Sequence, residues 1–159
     1  MTRFSVSTTS RATVEASRQR VWDALTDTGL LSRLTPYLRR IDASSSPDSV
    51  RWTWHLVQIP LLGSMVSPSF TEVMTFDEPS RIDFAHDPAR AEEKAGVEGR
   101  YTLVEAGGAT DLSIELAITV DLPFPRLARP AVQAAMHAVV ATMGVRFSHN
   151  LVRHLKRTS

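Results

Sequence analysis

Val14 to Leu38 reads VEASRQRVWDALTDTGLLSRLTPYL, and the way this stretch divides decides the fold. Ser17 is a good helix N-cap, and Val21, Trp22, Leu25 and then Leu30, Leu31 and Leu34 have helical spacing. The pattern is interrupted at Asp27 to Gly29 and stopped at Pro36, so the spacing predicts two short helices in succession. On the N-terminal side, residues 3 to 15 alternate as a strand does, with Phe4, Val6, Thr8, Ser10, Ala12 and Val14 on one face.

Beyond Leu38 the period changes to two as far as Asp121. It is broken by turn clusters at SSSPDS (44 to 49), DEPS (77 to 80), DPARAEEKAG (87 to 96) and EAGGAT (105 to 110). The breaks predict strands near 38 to 44, 50 to 58, 68 to 77, 81 to 86, 97 to 105 and 110 to 121. With the first, that makes about seven strands, and their short connections predict an antiparallel meander. LPFPRLARP then stops the strand, and an amphipathic helix is expected from about 128 to 156, with Pro130 in its first turn. Its apolar stripe runs Val132, Met136, Val140, Met143, Phe147, Leu151 and Leu155.

Composition narrows the class. A chain of 159 residues with 43% hydrophobic and 22% charged residues suits one domain, residues 1 to 159, with a continuous core. Eighteen Lys and Arg against seventeen Asp and Glu leave a formal net charge of +1, so no global field selects nucleic acid. The basic cluster of Arg146, Arg153, Lys156 and Arg157 lies in the last helix, where positive charge complements the helix dipole. Without cysteine there are no disulfides, thiolate nucleophiles or cysteine zinc sites. No apolar run is long enough for a membrane span or signal peptide, and the expected location is the cytoplasm. There is no HExxH pair, no phosphate-cradling glycine loop and no GxSxG, so neither a metal nor a cofactor is expected.

Splitting each strand into faces exposes the candidate site. The apolar faces read Trp52, Trp54, Leu56; Phe70, Glu72, Met74, Phe76; Ile82, Phe84, His86; Val97, Gly99, Tyr101, Leu103; and Leu112, Ile114, Leu116, Ile118, Val120. Glu72, His86 and Tyr101 are polar intruders, and a carboxylate on an apolar face is costly unless paired or placed at the wet end of a cavity. They are the candidates for orienting a ligand or moving a proton. Each also has a structural reading: Glu72 reaching solvent from a frayed strand end, His86 on a rim, Tyr101 anchoring its hydroxyl to a neighbour. Trp52 and Trp54 offer flat surfaces that stack on a ring system or fill core. The loop PLLGSMVSPS, 60 to 69, carries Leu61, Leu62 and Met65 and is apolar enough to pack on, or close over, something.

The element order, the opening VEASRQRVWDALTDTGLLSRLTPYL, the middle FTEVMTFDEPSRIDF (70 to 84) and the final long helix together resemble the SRPBCC superfamily. This is the helix-grip fold shared by START lipid-transfer domains, the birch pollen allergen group and polyketide cyclase or dehydrase-like proteins. The resemblance covers nearly the whole chain, and DEPSRIDF resembles a pattern frequent in bacterial members. It implies an α+β fold in which a curved antiparallel sheet wraps a long C-terminal helix around an internal cavity for a hydrophobic molecule. On that basis Trp52, Trp54, Met74, Phe76, Phe84, Tyr101, Met136, Val140, Met143 and Phe147 are expected to line the cavity, with Leu61, Leu62 and Met65 as its gate. The first expectation is binding of a lipid, an isoprenoid or quinone, or a polyketide-like aromatic. An aromatase or cyclase-like enzyme using acid and base groups is the second. The third is an interaction or stress-related module, with a homodimer left open, whose core is filled.

Overall fold

The structure, a computed structural model, describes residues 1 to 158. Strand β1 (Thr2–Val14) leads into helices α1 (Arg18–Leu25) and α2 (Thr28–Leu34). Both helices start as the sequence directs. The Ser17 hydroxyl accepts from Arg20 N at 3.2 Å, and the Asp27 carboxylate from Leu30 N at 3.0 Å, so the residue that interrupts the first helix caps the second. There follow β2 (Leu38–Ser46), β3 (Ser49–Leu56), β4 (Ile59–Leu61), β5 (Ser64–Val66), β6 (Ser69–Asp77), β7 (Arg81–His86), β8 (Ala95–Ala106), β9 (Ala109–Leu122) and the helix α3 (Arg129–Arg157).

Seven strands form one antiparallel sheet in the order β1-β9-β8-β7-β6-β3-β2. The expected meander is present, closed by the return of β1 to pair with β9 along its whole length. The β8–β9 hairpin turns on Gly107 and Gly108 at φ 59° and 88°, a conformation glycine adopts without strain. One element departs from expectation. The apolar loop 60 to 69 is largely a second, two-stranded sheet, β4 with β5, in which Ile59 pairs with Val66 and Leu61 with Ser64. Its turn is made by Leu62 and Gly63, both at positive φ. Ile59 and Leu61 face inward, which gives the short hairpin its hold on the body.

The core is in two parts. One joins α1 and α2 to the sheet through Trp22, Leu25, Leu31, Trp52, Met74 and Ile82, with Phe147, Leu151 and Leu155 from α3. The other gathers Phe4, Leu61, Phe70, Val120, Leu122, Val132 and Met136 at the opposite end of the same helix. Among the described residues no helix is long and apolar enough to cross a membrane.

Candidate functional site

Helix α3 is tied down at its two ends. Near its start, Gln133 Nε2 donates to Ser5 O at 3.0 Å, and the Arg129 guanidinium sits 5.3 Å from the centre of the Phe4 ring. Near its end, Asn150 Nδ2 donates to Leu34 O at 2.9 Å and Arg20 Nη2 to Leu155 O at 2.7 Å. Met136 and Phe147, the innermost members of the two cores on this helix, are eleven residues apart, or about 16 Å of helix at ~1.5 Å per residue. Between them Val139, Val140 and Met143 are only half-buried, and they roof an open cavity of about 750 Å³. The apolar stripe of α3 is therefore core at both ends and cavity wall in the middle.

The cavity floor is the concave sheet: Ile114, Leu116 and Ile118 of β9, Val97 of β8, Phe84 of β7 and Phe70 of β6. Its wall is open where β1 and α3 part, at the exposed Ser10 and Ala12 on one side and Ala141, Gly144 and Val145 on the other. Gly99 keeps the floor low. A Cβ there would lie 1.9 Å from Glu115 O and 3.0 Å from Phe84 Cζ, so only glycine lets β8 and β9 approach this closely beneath that ring.

Three polar side chains reach this apolar space. Register places Glu72 beside Trp52 and His86, Trp54 beside Phe70, and Tyr101 beside Ile82, so Glu72, Trp54 and Tyr101 share the concave face. Glu72 is 2% exposed and makes no hydrogen bond of standard geometry. Burial pushes its carboxyl up to about 8, with the nearby Trp54 indole pulling weakly the other way. The Trp54 Nε1–H is itself buried and makes no hydrogen bond of standard geometry, its ring stacked on Phe70 at 6.0 Å. Among the described residues the Tyr101 hydroxyl has no hydrogen-bond partner; burial, and then the Glu72 charge, raise its pKa above the ordinary tyrosine value. The Tyr101 ring packs edge-on to Phe84 at 5.2 Å.

Of the residues the sequence nominated, Trp54, Phe84, Tyr101, Met136, Val140, Met143, Phe147, Glu72 and Leu61 border the cavity. Trp52, Met74 and Phe76 have the right parity but do not border it. They lie where α1 covers the sheet, and Phe76 packs between Trp22 at 6.0 Å and Trp52 at 5.9 Å. Leu62 and Met65 are on the outer side of the β4–β5 hairpin, 51% and 57% exposed, so only Leu61 of the gate trio meets the cavity.

His86 is drawn away from Glu72 by a different carboxylate. Its Nε2 lies 2.9 Å from Glu93 Oε1, and Glu93 also accepts from Thr71 N and Thr71 Oγ1, each at 2.8 Å. Beside this latch the buried Asp87 accepts from Ala89 N at 3.0 Å and from Arg51 Nε at 2.8 Å. The Ala89 N–H and then the Arg51 guanidinium hold the Asp87 carboxyl below its usual range, against the effect of burial. Neither Glu93 nor Asp87 was singled out from sequence, because both sit in a charged loop that reads as solvated. In sequence Trp54 offers only a flat surface, and nothing in its strand pattern shows that its N–H is buried beside Glu72. Among the described residues no cluster of three or more His, Asp or Glu is arranged to hold a metal ion.

A model of the family described as polyketide cyclase / dehydrase and lipid transport matches residues 3–156. Among curated proteins, none matches the sequence. The fold is similar to that of the Zhui aromatase/cyclase from a Streptomyces species, with a TM-score of 0.74 at 13% identity over 96% of this chain and 94% of the other. It is also similar to a protein from Thermus thermophilus, TM-score 0.71 at 18% identity over 94% and 99% of the two chains. A START superfamily protein from Mycobacterium smegmatis gives 0.65 at 16% identity over 96% and 99%. At these identities the likeness is one of fold.

Proposed function

The chain belongs to the polyketide cyclase / dehydrase and lipid transport family, and on that premise we propose that it binds a hydrophobic small molecule between the sheet and the middle of α3. The observation that carries this reading is the open apolar cavity of about 750 Å³ between two packed cores, a size typical of small-molecule sites, which run roughly 300–1,000 Å³. A ligand burying roughly 300 Å² of apolar surface gains about 7 kcal/mol before the costs of association. An unfilled interior also weighs against a module whose core has collapsed. The parted edges of β1 and α3 offer the way in, and the cysteine-free chain suits a reducing cytoplasm.

Native mass spectrometry of the purified protein, followed by organic extraction, tests the reading. A hydrophobic adduct that is lost in Met143→Trp, which fills the space under the helix, supports it. A clean mass with no uptake from a panel of lipids and quinones overturns it.

A second reading, ring closure or dehydration of a polyketide-like chain, is favoured by one observation: Glu72 and the Tyr101 hydroxyl face the same cavity, and the Glu72 carboxyl is held at about 8. Such an acid can give and recover a proton near neutral pH. His86, held by Glu93, plays no part in it. This reading requires Glu72→Gln to abolish turnover while binding is spared.

A further inference from the structure

From the Tyr101 hydroxyl, which no described residue meets, and the loosely matched Glu72 carboxyl and Trp54 N–H on the same cavity wall, we infer that the ligand's buried end carries an uncharged oxygen, a carbonyl or a hydroxyl. The site then discriminates against carboxylates of the same length. The inference rests on the binding role proposed above and names the class of ligand that role serves.

Groups removed from water normally find hydrogen-bond partners inside the protein. Here the match is incomplete: Glu72 is 2% exposed, the buried Trp54 Nε1–H has the Glu72 carboxyl nearby but no hydrogen bond of standard geometry, and no described residue meets the Tyr101 hydroxyl. All three residues border the same cavity. Polar groups left short of partners are costly, and a ligand atom seated among them recovers part of that cost. Trp54 can only donate, Tyr101 donates through its hydroxyl, and a protonated Glu72 donates while keeping a carbonyl oxygen free to accept. The complement of such a patch is an oxygen with lone pairs: a ketone accepts from it, and a hydroxyl both accepts and donates.

The charge of the ligand is decided by what is missing. Among the described residues, the only other charged or titratable ones bordering the cavity are Arg11 and His137, and both are exposed at the β1 and α3 edges. From β1 to β6, which carries Glu72, is four strand spacings, or about 19 Å across the sheet at ~4.8 Å each. His86, which pairs with Glu72 across β7, is turned to Glu93. Apart from Arg11 and His137 at those exposed edges, no cation among the described residues borders the cavity to hold a carboxylate. An aliphatic acid has to shed its charge to enter, and with an ordinary pKa near 4.5 that removes about two and a half powers of ten in affinity at pH 7.

Three probes of equal chain length test this: tetradecane, 2-tetradecanone and tetradecanoate, titrated at pH 7 against the quenching of Trp54 and against native mass spectra. The ketone is expected to bind at least tenfold more tightly than the carboxylate. Glu72→Leu and Tyr101→Phe should each weaken the ketone more than fivefold relative to tetradecane, and Glu72→Gln, which keeps a donor, should restore it. Carboxylate affinity equal to that of the ketone, or ketone affinity that follows tetradecane through all three variants, overturns the inference while the binding role stands. Failure of every probe, tetradecane included, to enter the wild-type protein removes the binding role and the inference together.

Discussion

Replacing Glu72 by Gln should flatten the dependence of stability on pH, and the size of the effect follows from the site. The carboxyl has an ordinary value of 4.5 and is pushed up to about 8 by burial in the apolar wall. Between those two values the folded protein keeps a proton that the unfolded chain has released, so stability falls as pH rises. It is fully present below about 4.5, declines by about 1.4 kcal/mol per pH unit through the window, and levels off above about 8, where both states are ionised. Integrated from pH 5 to pH 7, the loss is about 2.5 kcal/mol.

Gln has nearly the same shape and no proton to lose, so the variant lacks this slope. The assay is urea unfolding of both proteins at half-unit steps from pH 5 to pH 8.5, read by tryptophan fluorescence. The difference between the two curves isolates the one carboxyl, because every other titrating group is common to both. Thermal unfolding should show the same divergence, about 5–10 °C between pH 5 and pH 7 for a domain of this size. Curves that stay parallel from pH 5 to pH 8 would refute the reasoning, since they would mean that the carboxyl is hydrated in the folded state, and the cavity would then be wet where it is described as apolar.

Three other substitutions probe the scaffold around the site. Gly99→Ala should cost at least about 3 kcal/mol in chemical denaturation, because its Cβ would meet the backbone oxygen of Glu115 at 1.9 Å, and a β-strand backbone cannot step aside as a flexible side chain can. Gly144→Ala, on the open side of α3 with nothing within 4 Å of the new methyl, should raise stability by about 0.5–1 kcal/mol through helix propensity alone. Asp87→Ala should destabilise by about 1–3 kcal/mol, since the Ala89 N–H loses its acceptor and Arg51 its partner. The wild-type Asp87 contribution is present above the usual carboxylate range and lost as pH falls through its lowered value, so the gap between the two proteins should narrow in acid.

The division of labour between sequence and structure is visible within single faces. Parity places Trp52, Trp54, Met74, Phe76 and Phe84 on the concave side of the sheet, and the pairing of Trp52 with Glu72 and of Phe84 with Met74 confirms that placement. Parity carries no information about what lies over a residue once it faces inward. Phe76 is covered by Trp22 of α1 and Trp52 packs on Phe76, whereas Trp54 and Phe84 face the cavity under the unanchored middle of α3. That boundary depends on where two helices, far apart in sequence, touch the sheet. His86 shows the same limit from another side. Its strand position sends it inward beside Glu72, yet it lies at the strand end, where a carboxylate seven residues further on can reach it, and Glu93 does. Glu72 was legible because the cost of a carboxylate on an apolar face does not depend on what covers that face: core and cavity both leave it unsolvated. For the same reason the stripe on α3 does not divide into core and cavity wall by its spacing. Val132, Val140 and Phe147 repeat at the same helical period. What distinguishes them is that the helix is pinned at Ser5 and Leu34, on two different elements, and is left to span the distance between.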